Sequence, residues 1–534
     1  MSDVQACAAL SLAEALLAVI SLKERATRDS LLILLPLFVV QYTFLKIYRI
    51  FVYPFFFSPL RHLPGPTDNH FFLGQEVKKF KASSPNELYL SWSKQWPDAP
   101  LIRYMSAGNT EHIIVNNLEA QREVLQTNCY SFVKPPFFTR LVGEINGKGL
   151  LFSEGDEHKI QRKLLNGPFS LPNIKSLLPV FQAEAKNLSD DIGKTLAGES
   201  SGVVEVSAPI AKATLRIISV TALGAELGDP NLSSFFHECY NRIFEQSLLG
   251  NIITVVNSFV PIRRFLPIEA NTRFVRANED IRVLIRRLVK QRVGEVEARK
   301  GGEGGEKKGG VGGKDLLTYM IEQEGSGWSE YDILDHLLTF VSAGHETTAM
   351  ATTWSAYVLA TRPDIQDRLR SEISTLSHQF DYNEIESLPY LNNFCREILR
   401  VYNPALTIAR QTTQPVTISS TLLPKNTPLT INPQITQSHP GVWGPDALSF
   451  NPDRWDTLAP EQKSPYALAA FGNGPRICIG KAFAMLEFKT LVVTVVREWV
   501  FQGVDGMRDG AEFMNPSLTL KPKGGLRVLV ERVG

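Results

Sequence analysis

Apolar positions follow three patterns along the chain: one unbroken run, then short alternating stretches, then long helical repeats. The unbroken run is residues 31–45, where Gln41 is the one strongly polar side chain. Fifteen helical residues reach ~22 Å, short of a ~30 Å hydrocarbon core. Continuing to Tyr53 closes the gap if Lys46 and Arg49 snorkel. A transmembrane helix is therefore expected over 31–53, where Pro36 is tolerated and Tyr42, Tyr48 and Tyr53 suit the interfaces. The leader, 1–30, holds a second apolar stretch, 6–22, interrupted by Glu14. Lys23-Glu24-Arg25 is a poor cleavage site, which favours an uncleaved anchor and leaves open whether 6–22 also spans. A proline-rich hinge is expected over 54–66, ending Leu63-Pro64-Gly65-Pro66.

Beyond the hinge the alternating pattern is confined to short stretches. Residues 101–115 alternate on either side of Gly108-Asn109 and predict a hairpin. Helical patterns cover 118–125, 174–196, 208–223, 273–298, 390–401 and 481–501. The longest helix is predicted over 330–360: Ser329 and Asp332 have capping-box spacing, and Arg362-Pro363 stops it. It would be ~47 Å long, enough to cross a domain. Its centre, Ser342-Ala343-Gly344-His345-Glu346-Thr347-Thr348, breaks helix preference, Gly344 alone costing roughly 1 kcal/mol against alanine. Such a break inside a buried helix marks a candidate functional site. Eight of the fifteen residues in 300–314 are glycine, a flexible insertion with no phosphate-loop spacing. The whole reads as one mainly α domain with a small β region over 67–534.

Composition narrows the function. Lys plus Arg number 56 against 55 Asp plus Glu in 534 residues, so bulk charge offers nothing to nucleic acid. The five cysteines are odd in number and widely scattered, which excludes a disulfide framework or a close-spaced zinc site. The sequons at Asn187 and Asn231 are better read as chance.

The chemistry concentrates near the C-terminus. Phe471-Gly472-Asn473-Gly474-Pro475-Arg476-Ile477-Cys478-Ile479-Gly480 is a loop of tight turns preceding a helix. It fails the dinucleotide fingerprint, because Ile477 stands where the next glycine is required. Cys478 lies just before a helix N-terminus, where N–H groups favour a thiolate. Glu397 and Arg400 share a helix face among apolar flanks, and Arg454 is the candidate to complete a buried network with them. His345-Glu346 is no zincin motif, since Ala349 occupies the position of the second histidine.

Phe471-x-x-Gly474-x-Arg476-x-Cys478-x-Gly480 resembles the haem-binding loop of the cytochrome P450 family, the eukaryotic membrane-anchored kind. Four further features agree in order: the proline-rich hinge, Ala343-Gly344-His345-Glu346-Thr347-Thr348, Glu397-x-x-Arg400, and Phe450-x-Pro452-x-Arg454-Trp455. The resemblance implies a single haem-thiolate monooxygenase domain, mainly α. Cys478 would be the axial thiolate to the iron of haem b. Arg476, Arg162 and Arg410 would bind the propionates, as would His158, which stands where the family often has tryptophan. Glu397, Arg400 and Arg454 would be structural. Glu346 and Thr347 match the acid–alcohol pair that delivers the protons needed to split dioxygen, and Gly344 would allow a bulge for oxygen.

The resemblance also implies partners. Only 56 residues follow Cys478, so electrons from NADPH are expected through a separate flavin reductase, for which Lys159, Lys163 and Lys481 are candidate contacts. Family position suggests Phe132, Phe340, Ser342, Ala343, Thr407 and Ser517 as pocket residues, mostly apolar or small, for a lipophilic substrate. The expected setting is the endoplasmic reticulum membrane with a cytosolic catalytic domain. The long linker and His158 look most like fungal enzymes of terpenoid, polyketide or alkaloid pathways. Fatty-acid or sterol oxidation, or a non-catalytic haem-binding role, are the alternatives.

Overall fold

The computed structural model describes residues 26–224, 230–244, 246–300, 315–323, 327–507 and 510–533, with 7, 8, 10, 11 and 14 of the leader. The glycine-rich run over 301–314 and most of the first apolar stretch lie outside the described residues.

An α-helix over Ala26–Ile47 continues as a π-helix over Tyr48–Phe57, with Pro36 and Pro54 inside the run. The helical path thus ends four residues beyond the expected limit at 53. Leu35–Phe57 is one helix long and apolar enough to cross a membrane, and Leu35 and Phe44 are exposed on it. Ser58 stops it: its hydroxyl accepts the Leu60 N–H at 3.1 Å, opening a 3-10 turn over Pro59–His62. The hinge then docks on the first sheet, where the Arg103 N–H donates to the Pro64 carbonyl at 2.8 Å.

The body is predominantly helical, with small sheets at its margin. Leu101–Met105 and Glu111–Val115 form the predicted hairpin, Leu101 opposite Val115. They extend through Pro428–Ile431 (parallel to Glu111–Val115) and Ile408–Thr412 to Phe132–Val133, making five strands. A second sheet orders Val203–Glu205, Arg527–Arg532 and Trp499–Gln502.

The long helix, Glu330–Thr361, is the axis of the core. Its capping box is formed: the Asp332 N–H donates to the Ser329 hydroxyl, and the Ser329 N–H donates back to the Asp332 carboxylate. It packs against Ser207–Leu223, and at Gly344 the approach is so close that a Cβ would stand 2.9 Å from the Ile218 side chain. The helix runs through this point without interruption, so Gly344 makes room for a neighbouring helix rather than a bulge. Its polar centre is satisfied in part: His345 Nδ1 meets the Thr214 hydroxyl of the neighbouring helix at 3.1 Å, and Thr352 donates to the Thr348 carbonyl at 3.0 Å.

Two helix expectations change. Residues 174–196 are two helices, Leu171–Ser176 and Leu178–Ala197, because Pro179 has no N–H to continue the first and suits the opening of the second. The helix expected to 501 ends at Glu498, and Trp499–Gln502 is a strand paired with Arg527–Arg532. Aromatic and β-branched residues favour that pairing, and Trp499 is fixed by its indole N–H donating to the Ser189 hydroxyl at 2.7 Å. Leu188 and Ser189 are buried in the helix that carries Asn187, a poor presentation for a glycosylation acceptor.

Glu487, on Lys481–Glu498, is fully buried among core residues. Burial holds its carboxyl well above the usual range, and the Thr348 hydroxyl only partly offsets this. The folded chain therefore keeps a proton that the unfolded chain releases above pH ~4.5, so this group lowers stability as pH rises until its folded pKa is passed. Glu487→Gln is expected to raise the thermal midpoint at pH 8, with the gap to the unaltered protein closing toward pH 5. Equal midpoints at pH 8 would contradict a neutral, buried Glu487.

Candidate functional site

The loop over 471–480 is closed by the Cys478 N–H donating to the Phe471 carbonyl at 2.9 Å. Gly474 has φ 72°, and a Cβ there would fall 2.1 Å from the Leu125 carbonyl oxygen. Only glycine allows both that conformation and that approach. Gly480 then caps the helix Lys481–Glu498. Of the five cysteines, Cys478 alone is exposed, yet the protein around it is dense enough that desolvation pushes its thiol up. Both facts hold for a side chain open to a cavity inside the protein. The Gly480 N–H, Arg162 and Lys481 pull in the opposite direction, with the Gly480 hydrogen bond leading. The helix N-terminus therefore favours the thiolate without overcoming burial; a bound metal cation would do so.

Arg162, on Gly155–Leu165, donates to the Ile477 carbonyl at 2.6 Å. It steadies the backbone next to Cys478 and adds positive charge beside the sulfur. Arg476, Arg410 and Lys134 gather around one carboxylate, Glu154. Arg476 ion-pairs with it, the Lys134 ammonium lies 3.4 Å from it, and the Lys134 N–H donates to it at 2.9 Å. Burial, followed by the charge of Arg476, brings Arg410 down to about 10. Lys134 comes down to about 8, chiefly by burial, with Arg410 and Arg476 adding to it and Glu154 opposing. His158 is buried against the Tyr130 hydroxyl at 3.3 Å, and burial and then Arg476 lower it to about 4, which keeps it neutral. Three cations thus face one carboxylate, an excess of two positive charges, and Arg476 Nε has no hydrogen-bond partner among the described residues. A group bringing two carboxylates beside Cys478 would neutralise the cluster and satisfy that orphan donor. Haem b, with two propionates and an iron that takes a thiolate, fits.

On the long helix, Ala343 is exposed while Val341, Ser342, His345 and Thr348 around it are buried, which marks a cavity along that face. Thr347 shares it, its hydroxyl donating to the Ala343 carbonyl at 2.8 Å. Glu346 forms an ion pair with Lys521 of the C-terminal segment.

The remaining expected residues divide. Thr407 is exposed and Ser517 partly so. Phe132 is fully buried in the core of the first sheet, because a strand residue there points into the cluster with Leu101 and Ile431. Its carbonyl, not its ring, reaches the site, 3.5 Å from Arg476. Phe340 is buried against the Phe169 ring at 5.1 Å. Ser342 lines a small cavity of about 10 Å³ with Tyr240 and Phe236, on the side of the helix that packs against neighbouring helices. Lys159, Lys163 and Lys481 are exposed, and Lys159 pairs with Asp156 at 2.7 Å.

Behind the loop, Arg400 makes a two-pronged bond to Glu397 at 2.8 and 2.9 Å, and Arg454 adds a third at 2.9 Å. The Trp455 indole and the Asn451 N–H complete the carboxylate's shell. Arg400 spends its other donors on the Gln437, Ala447 and Ser449 carbonyls. Full satisfaction is what allows Glu397 and Arg400 to be completely buried.

Residues 64–528 match the family model described as Cytochrome P450. The chain belongs to the cytochrome P450 family. Its relatives include the cytochrome P450 monooxygenase sphH of Aspergillus fumigatus, 30% identical over 509 residues with 90% of each chain covered. Another is the cytochrome P450 monooxygenase FUM15 of Gibberella moniliformis, 30% identical over 549 residues at the same coverage. The cytochrome P450 monooxygenase ALT8 of Alternaria alternata is 28% identical over 550 residues, with 90% of this chain and 91% of that one covered. This P450 is accordingly a haem-thiolate monooxygenase, carrying haem b on a cysteine thiolate, supplied with electrons by a redox partner and acting on a small molecule.

Sequence reasoning passed over Lys134, Glu154 as its partner, and Lys521. Their roles arise from contacts across the fold, and nothing in Phe132-Val133-Lys134-Pro135 or Leu520-Lys521-Pro522 marks them locally. Lys134→Met is expected to speed haem release by roughly ten- to a hundredfold, since a charge-assisted hydrogen bond is worth roughly 1.5–3 kcal/mol. Transfer of haem to an acceptor globin measures it; an unchanged rate would show that Lys134 does not hold the cofactor.

Proposed function

We propose that this P450 is a membrane-anchored enzyme that oxidises a lipophilic small molecule of a fungal specialised-metabolite pathway, taking electrons from an NADPH-dependent flavin reductase at the endoplasmic reticulum, with its catalytic domain cytosolic. The reading is supported most directly by Glu346 and Thr347 beside the accessible Ala343 on the long helix. Bound haem supplies dioxygen activation and one-electron chemistry.

The chain's residues do the rest. Cys478 provides the thiolate. Arg476, Arg162 and Arg410, with Lys134 beside them, would take the two propionates and fix the cofactor's orientation. Neutral His158 offers them a hydrogen bond without adding charge. Thr347 would present a hydroxyl to the cavity, and Glu346 would hold and pass protons from solvent toward it, supplying the protons that oxygen chemistry at a bound haem consumes.

Exposed apolar side chains support a membrane setting. Of Leu35–Phe57 only Pro54 is buried, and the Phe51 ring lies 6.5 Å, centre to centre, from the Phe72 ring of the body. The helix Leu248–Phe259 also exposes Leu248, Ile252 and Phe259. Exposed apolar area of this extent suits a lipid surface.

Thr347→Ala is expected to keep haem content and substrate affinity while product formed per NADPH falls about tenfold and peroxide rises. Unchanged coupling in that variant would contradict the role given to Thr347.

A further inference from the structure

Glu346 is held by a cation that its own helix does not supply. Lys521 reaches it from the C-terminal segment, four residues after Ser517, and the two side chains are largely shielded from solvent. The backbone that carries Lys521 is pinned on several sides. The Trp354 indole of the long helix donates to the Leu520 carbonyl at 2.7 Å, the Leu520 N–H donates to the Pro404 carbonyl at 3.1 Å, and the Met514 N–H donates to the Lys521 carbonyl at 2.8 Å. Thr519 bridges Ala405, two residues before Thr407. The charge of Glu346 is also felt at the Tyr240 hydroxyl, which burial and then Glu346 push upward, so that phenol stays neutral and the Lys521 ammonium is the charged group facing the carboxylate. His345 points away, toward Thr214.

We propose that Lys521 is the positioning residue for Glu346: its ammonium fixes the carboxylate beside Thr347 and ties the proton relay to the segment that carries Ser517. This rests on the reading of Glu346 as a proton carrier. A partly buried carboxylate that loses its cationic partner swings toward water, so the relay loses its orientation while the cofactor site is untouched. Through the same contact, a substrate that presses on the segment around Ser517 acts on Glu346.

The test uses the holoenzyme with its reductase and a turned-over substrate, and compares Lys521→Met, Lys521→Arg, Glu346→Gln and the Lys521→Met/Glu346→Gln double variant. Product per NADPH is expected to fall severalfold in Lys521→Met, to recover in Lys521→Arg, and to be no lower in the double variant than in Glu346→Gln alone. Hydrogen exchange of residues 512–523, measured without turnover, is expected to quicken in Lys521→Met and in Glu346→Gln, with thermal midpoints otherwise preserved. Additive losses in the double variant, or exchange and coupling both unchanged in Lys521→Met, would overturn the role of Lys521 alone. Unchanged coupling in Glu346→Gln would overturn the proton-carrier reading and the Lys521 role with it.

Discussion

A thiolate inside a protein is the constraint on which this structure turns. Water stabilises a sulfur anion, and the packing around Cys478 removes water, which is why burial drives its thiol upward. The chain answers with a backbone N–H from Gly480 and the charges of Arg162 and Lys481, and leaves the rest to the iron. Arg162 serves twice, by its charge and by holding the Ile477 carbonyl. The geometry tolerates little change, since Gly474 already lies against the Leu125 backbone.

A rigid loop needs a rigid back. The Glu397–Arg400–Arg454 network joins the helix Pro389–Val401 to the segment from Gln437 to Trp455 that leads into the loop. Buried ions are costly, and losing one partner of a buried pair typically costs about 3–5 kcal/mol because a charge is left stranded. Here each lone pair of the carboxylate is used, so the network is tolerable only in one arrangement. A second electrostatic demand sits beside Cys478: Lys134, Arg410 and Arg476 crowd one carboxylate, and two propionates would bring the balance their burial requires. On that reading the cofactor would be a structural counter-charge as well as a reagent.

Much of this was legible in the sequence where the signal is local. The capping box at Ser329, the hairpin at Gly108-Asn109, the Glu397/Arg400 spacing and the glycine-rich turn before Cys478 each depend on neighbours within a few residues. What escaped depends on distance along the chain. Gly344 looked like a site for oxygen and is a contact with Ile218, 126 positions away. Phe132 looked like a pocket ring and is sheet core. The helix after Cys478 ends where Trp499 finds Ser189 and a strand partner. Lys134 and Lys521 carry no motif, because what they meet is set by the fold alone.

The carbon monoxide difference spectrum of the reduced, membrane-expressed protein tests Cys478 ligation most directly. Thiolate ligation inside an intact pocket predicts the strongly red-shifted Soret band of a haem-thiolate, absent in Cys478→Ser. A band at the position of histidine-ligated haem in the unaltered protein, or a thiolate band that survives in Cys478→Ser, would contradict it.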